Sequence, residues 1–152
     1  MPTRLAASIV LLALGCADLA ARDGGHFWLP VAGDSLYRIS IDTSRITRPT
    51  YQTYLIWYRT DHAMTHLHKG EPFNREIVGS LLRCRDLAYK VVSVDMSMGS
   101  ESPISQQRAD AHDIALQPWR YPDRGTIEWS AARRSCDLAR ARGFDDAHGV
   151  RR

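Results

Sequence analysis

Three groups of residues in this chain have side chains that could do chemistry. The stretch "DHAMTHLHK" places Asp61, His62, His66 and His68 within one short segment. If it forms a helical turn, His62 and His66 share a face at i and i+4; if it is extended, His66 and His68 do. Either imidazole pair, with Asp61 added, has the donor chemistry for zinc or copper. Two or three ligands from one loop do not close a tetrahedral site, so the reading favoured here is an exposed polar loop that carries histidines, and no cofactor is expected. "ADAHD" sets Asp110, His112 and Asp113 side by side as acids and base. It stands without a nucleophile-elbow serine, a phosphate-cradling glycine loop or a paired-cysteine zinc motif, so enzymatic activity is not expected.

The third group is the cysteines, Cys16, Cys84 and Cys136, and their chemistry depends on compartment. The chain opens with one cation at Arg4, an apolar run from Leu5 to Leu14 and small residues at Gly15 to Ala17. This is the order of an export signal, assigned to residues 1–22, and the run is too short to span a bilayer. Cys16 follows "ALG", an approximation to the box read by the lipoprotein signal peptidase with Ala13 and Leu14 in reversed order, so Cys16 is a candidate for lipidation. Past the signal, Cys84 and Cys136 are both expected to face the core in an oxidising compartment. A disulfide between them is the economical reading; a catalytic thiol or two separate buried thiols are the alternatives.

The elements that must position these groups can be read from apolar spacing. Tyr37, Ile39 and Ile41 alternate on a half-buried strand, Asp42 to Arg45 make a polar turn, and Ile46 returns to the core. "TYQTYLIWYRT" predicts a central strand from Tyr51 to Arg59 that is apolar on both faces, covered by a helix, a loop or a second copy. Gly70 and Pro72 break a loop over the histidine segment. Val78, Leu82 and Cys84 share a face of the next strand, a turn falls near Arg85 and Asp86, and Val92, Val94, Met96 and Met98 share a face of the strand after it. Residues 99–113 read as a solvated loop. A helix begins at Thr126 as N-cap, with Glu128 in its first turn and Gly143 as its stop, and Trp129, Ala132, Cys136 and Ala139 form its inward stripe. Residues 26–143 form one domain and the tail 144–152 is expected to be disordered.

The formal charge is +3, with Arg4 inside the signal and lysine only at Lys69 and Lys90. Scattered arginines of this kind suit a solvated face or an anionic lipid or polysaccharide contact, and nucleic acid is not expected as a partner. Trp57 and Trp129 are expected on buried faces. Trp119, in the proline-bounded "QPWRYP" connection, is the candidate for surface recognition.

From Trp28 to Cys136 the chain runs through a leading tryptophan, the tyrosine strand "LYRISID", an isoleucine after a polar turn and a strand ending in tryptophan. A strand ending in cysteine, a valine-rich strand, a "PW" connection and a helix with the second cysteine follow. On Trp28, Tyr37, Asp42, Ile46, Trp57, Cys84, Trp119 and Cys136 the chain resembles the surface-adhesin protein E family of bacterial exported proteins, where these positions are structural. The resemblance implies an α+β fold, a small antiparallel β-sheet packed against a C-terminal α-helix and stapled by one disulfide. It also implies lipid anchoring in many members, a homodimer in some, and adhesion to host matrix or serum proteins in the best known. The reading is therefore an exported, non-enzymatic binding domain of the periplasm, outer membrane or cell surface, with a protein or an anionic polymer as ligand. The alternatives are a periplasmic metal-binding accessory protein using the His62–His68 loop and a protein inhibitor of an envelope or secreted enzyme.

Overall fold

The computed structural model describes residues 21–23, 25–99 and 102–143. Cys16 and the expected disordered tail 144–152 lie outside the described residues, as does the expected export signal up to residue 20. Its last two positions fall in a short first strand, β1 (Ala21–Asp23), which pairs with β2 (His26–Gly33). The chain continues through β3 (Tyr37–Asp42), β4 (Thr47–Thr50), β5 (Thr53–His68), β6 (Glu71–Arg83), β7 (Ala88–Ser97) and β8 (Ser105–Arg108). All pairings are antiparallel, in the spatial order β1-β2-β3-β5-β6-β7-β8, with β4 also beside β5. Two helices follow, α1 (Ala111–Leu116) and α2 (Ile127–Ala141).

The protein is thus mostly antiparallel sheet with a C-terminal helix, and Cys84 and Cys136 are joined with their Cα atoms 5.5 Å apart. Alternation along β5 sends Tyr54 and Ile56 toward α2, where they meet Ile41, Ile46, Leu82, Ala132 and Ala139 in one buried cluster that contains both cysteines. The helix has the expected cap: Thr126 Oγ1 accepts the Trp129 N–H at 3.2 Å. Its buried face is made of small residues, Ala131, Ala132, Ser135, Cys136 and Ala139, which let the helix backbone lie close to the sheet. Trp129, expected on that stripe, is only half-buried at its edge.

The second apolar face of β5 is covered by long side chains instead of another layer. Trp57 lies half-buried on the side away from α2, flat against Gly79, where an added Cβ would come within 3.2 Å of the indole and 2.8 Å of Ser93 Oγ. The Arg45 guanidinium stacks over Trp57 at 4.0 Å, and Arg59 covers Trp28 at 5.0 Å.

Three segments differ from expectation. The histidine segment is the outer half of a β5–β6 hairpin whose two-residue turn, Lys69 and Gly70, has φ of 51° and 89°, the signature of a type I′ connection. Pro72 is tolerated because β7 pairs with β6 only as far as Arg75, so Pro72 has no neighbour to donate to on that side. The expected loop 99–113 contains β8 and the start of α1. Strand β8 is held by pairing to β7 and by Arg108, which reaches both carboxylate oxygens of Asp95 at 2.5 and 3.0 Å; Asp110 caps α1 by accepting the Asp113 N–H at 2.7 Å. Finally, a bulge in β7 opposite Gly79 and Ser80 shifts its register. Val91, Val94 and Met96 therefore face α2's side, and Val92 falls at the bulge.

Candidate functional site

The end of the molecule that carries the disulfide also gathers arginines and aromatic rings. Cys84 directly follows β6 and opens the four-residue turn 84–87 into β7, with Leu87 in the left-handed region at φ 61°. The bond to Cys136 holds this turn against the middle of α2, and Trp129 stands on the same side of the helix two turns earlier. The third wall is the connection between α1 and α2. It is fastened to β7 by a backbone bridge, Tyr89 N–H to Arg120 O at 2.9 Å and Arg120 N–H to Tyr89 O at 3.0 Å.

Between these walls lies an open pocket of about 600 Å³, lined by Arg85, Leu87, Tyr121, Pro122, Arg124 and Trp129 with Asp86 beside them. Asp86 is already engaged, taking Arg83 Nε at 2.8 Å and Nη2 at 2.7 Å. The Arg83 fork holds the Asp86 carboxyl below the usual carboxylate range, more than offsetting partial burial, and the same pair raises Arg83. Arg85 stands 3.7 Å from Asp86 with its side chain 64% exposed. Arg124 makes no ion pair among the described residues, and Arg133 backs the pocket by lying over the Trp129 ring at 5.3 Å. The pocket therefore offers two guanidinium forks beside two aromatic faces. Such a set binds carboxylate, sulfate or phosphate through paired N–H donors and a sugar or planar ring by stacking.

Trp119, the expected recognition residue, lies half-buried one step outside the pocket. Arg83 sits over its ring at 4.4 Å and the Lys90 ammonium at 5.1 Å. Lys90 is itself buried and donates to Ile114 O at 2.8 Å and Ala115 O at 3.2 Å, which ties α1 to the sheet. The exposed aromatic of this connection is Tyr121, at 60%; its exposed neighbour Arg124 and the turn residue Arg85 are positions that the sequence reading did not single out.

The three histidines do not converge. Five steps on β5, from Asp61 to His66, oppose two on β6, from Arg75 to Phe73, so the chain bulges and brings the His62 and His66 rings to 4.6 Å. Phe73 packs beside both rings. His62 Nε2 stands 3.8 Å from a Glu76 oxygen, while His68 lies beyond, opposite Glu71. Among the described residues no group of three or more His, Cys, Asp or Glu side chains is placed to hold a metal. The candidate ligands His62, His66 and His68 are not brought together because the segment is a strand with a bulge, not a loop free to fold around an ion. Asp110, in the acid/base triplet, is occupied as the cap of α1.

Among the described residues no helix is long and apolar enough to cross a membrane. The chain matches no protein-family model, no curated protein and no solved structure.

Proposed function

We propose that the protein is an exported, non-enzymatic binding domain, of the kind its resemblance to the surface-adhesin protein E family implies, and that it holds an anionic polymer through the arginine and aromatic pocket. The observation that carries this reading is the pairing of Arg85 and Arg124 with Tyr121 and Trp129 around one opening. Exposed guanidinium groups beside ring faces fit an acidic polysaccharide, whose carboxylate or sulfate groups alternate with apolar sugar faces. The disulfide supports export, since such bonds persist in oxidising compartments. Anchoring through an acylated Cys16 belongs to the same proposal.

The test is calorimetry with a sulfated polysaccharide and with neutral dextran at two salt concentrations. Binding should appear for the sulfated polymer alone, weaken at higher salt, and fall at least tenfold in the Arg85→Ala, Arg124→Ala double variant. Equal binding by that variant overturns the assignment of the pocket. A second reading, a protein ligand, is favoured by the outer β5–β6 hairpin, which extends past both neighbouring strands and exposes Met64 at 65% and Leu67 at 72%. Captured envelope or matrix protein that is lost in Met64→Ser, Leu67→Ser but kept in the arginine variant would favour it.

A further inference from the structure

A second opening lies between α2 and the sheet, on the opposite side of Pro122 from the arginine pocket. It is a cavity of about 170 Å³ whose walls include Val78, Val91, Tyr89, Ala131 and Pro122. The space exists because α2 presents Ala131 and Ala132 here, where larger side chains would close it against the sheet. Tyr58 also lines it, but burial pushes its phenol up to about 12 against a hydrogen bond with Ser135, so Tyr58 stays neutral and already engaged.

Among the described residues Glu128 is the only charged side chain in the lining. Its Oε1 accepts the Tyr37 hydroxyl at 3.0 Å. Its own backbone N–H, at the start of α2, holds the carboxyl below the usual range against burial, with Tyr37 and Thr126 assisting. Asp34 is near enough to act on both Glu128 and Tyr37, so the polar side of the cavity is negative. A carboxylate has about four acceptor positions, so the bonds from its own backbone N–H, Tyr37 and Thr126 leave room for one more N–H donor.

We propose that this open-mouthed cavity is a binding site for a small apolar ammonium compound, its ring or short alkyl chain seated between sheet and helix and its cation against Glu128. The volume sets the size: an apolar protein cavity of about 150 Å³ takes one benzene, so this one takes one ring with a short arm. The charge sets the head group, because an anionic head would meet Glu128 and Asp34, and a neutral one would gain only a hydrogen bond. The site is separate from the arginine pocket and does not depend on the anionic-polymer reading.

The test is a methyl NMR titration of the protein, following Val78, Val91 and Ala131, with phenethylammonium, 2-phenylethanol and 3-phenylpropionate as probes. Phenethylammonium should give saturable shifts at all three residues, the alcohol should bind at least tenfold more weakly, and the carboxylate should not bind. Glu128→Gln, at an exposed position, should lower the affinity for the amine to that of the alcohol, and Val78→Phe, which narrows the cavity, should remove binding of both. Absence of saturable shifts with the amine overturns the site. Equal affinities for amine and alcohol, or an unchanged Glu128→Gln variant, overturn the role of the charge; if Val78→Phe does not fold, the Glu128→Gln comparison decides alone.

Discussion

Opening the Cys84–Cys136 bond is the perturbation whose size follows most directly from the structure. The bond spans 52 positions of sequence. In the chain-entropy treatment, closing a loop of that length lowers the entropy of the unfolded chain by about 14 cal/mol/K, which is about 4 kcal/mol at 25 °C. Small domains have net stabilities of about 5–15 kcal/mol, so the loss is a large part of the whole. Both cysteines are buried, at 5% and 1% exposure, against Ile46, Leu82 and Ala139. Reduction leaves both sulfurs in that cluster and reports the chain term; a Cys84→Ala, Cys136→Ala variant adds a small cavity and should lose about 1 kcal/mol more. With a urea slope of about 1.5 kcal/mol/M, reduction should lower the unfolding midpoint by about 3 M, followed by tryptophan fluorescence with and without reductant. A shift under about 0.5 M would refute the argument that the bond works by restraining the unfolded chain.

Other expectations concern single residues. Asp42 is fully buried; burial raises its carboxyl, but hydrogen bonds from the Ser44 hydroxyl and N–H, the Phe27 N–H and His26 outweigh it and the net shift is downward. Its contribution is therefore present above the ordinary carboxylate value, about 3.9, and lost as pH falls through the lowered one. The stability gap between the native protein and Asp42→Asn, measured by urea unfolding, should shrink below about pH 4; a gap constant from pH 7 to pH 2 would contradict this. Gly79→Ala drives a methyl into Ser93 Oγ and the Trp57 indole and should cost about 1–3 kcal/mol with a change in tryptophan emission; an unshifted melting curve would show that Trp57 does not lie on Gly79. Tyr58, raised to about 12 by burial, stabilises the fold below its unfolded value of about 10 and loses that contribution as pH climbs toward the raised one. In an ultraviolet titration of the folded protein a tyrosine ionising at about pH 12 should vanish in Tyr58→Phe, and its persistence would assign that step elsewhere.

How far the sequence revealed the fold depended on whether a segment has one buried face. The strand Tyr37–Asp42, the heart of β5 and helix α2 were readable because their apolar spacing records contact with the core, and Thr126, Glu128 and Gly143 mark the helix ends. The disulfide was readable from two cysteines expected to face inward and from the export signal expected ahead of them. The outer hairpin was not, because residues 63–67 are exposed and carry no alternation; only pairing between β5 and β6 holds them extended. Strand β8, "SQQR", is an edge strand fixed by its ladder and by Arg108 on Asp95, neither of which leaves a local pattern. The pocket was half visible. The connection around Trp119 stood out for its proline-bounded aromatics and supplies Tyr121 and Arg124 to the pocket, but the turn residues Arg85 and Leu87 reach it only through the Cys84 bond and the Tyr89–Arg120 bridge, contacts distant in sequence.

The disulfide also sets which part of the molecule can bear a load. A pull applied between β2 and the last turn of α2 can peel away strands up to β6, but it stops at a covalent link. The 52 positions between the cysteines, about 180 Å of extended chain, never enter the line of tension. Arg85, Tyr121, Arg124 and Trp129 all fall inside that stretch, so the pocket sits in the one segment that traction on the chain cannot draw out. Tension along the chain would strain the N-terminal strands while the pocket residues stay bound into a closed covalent ring.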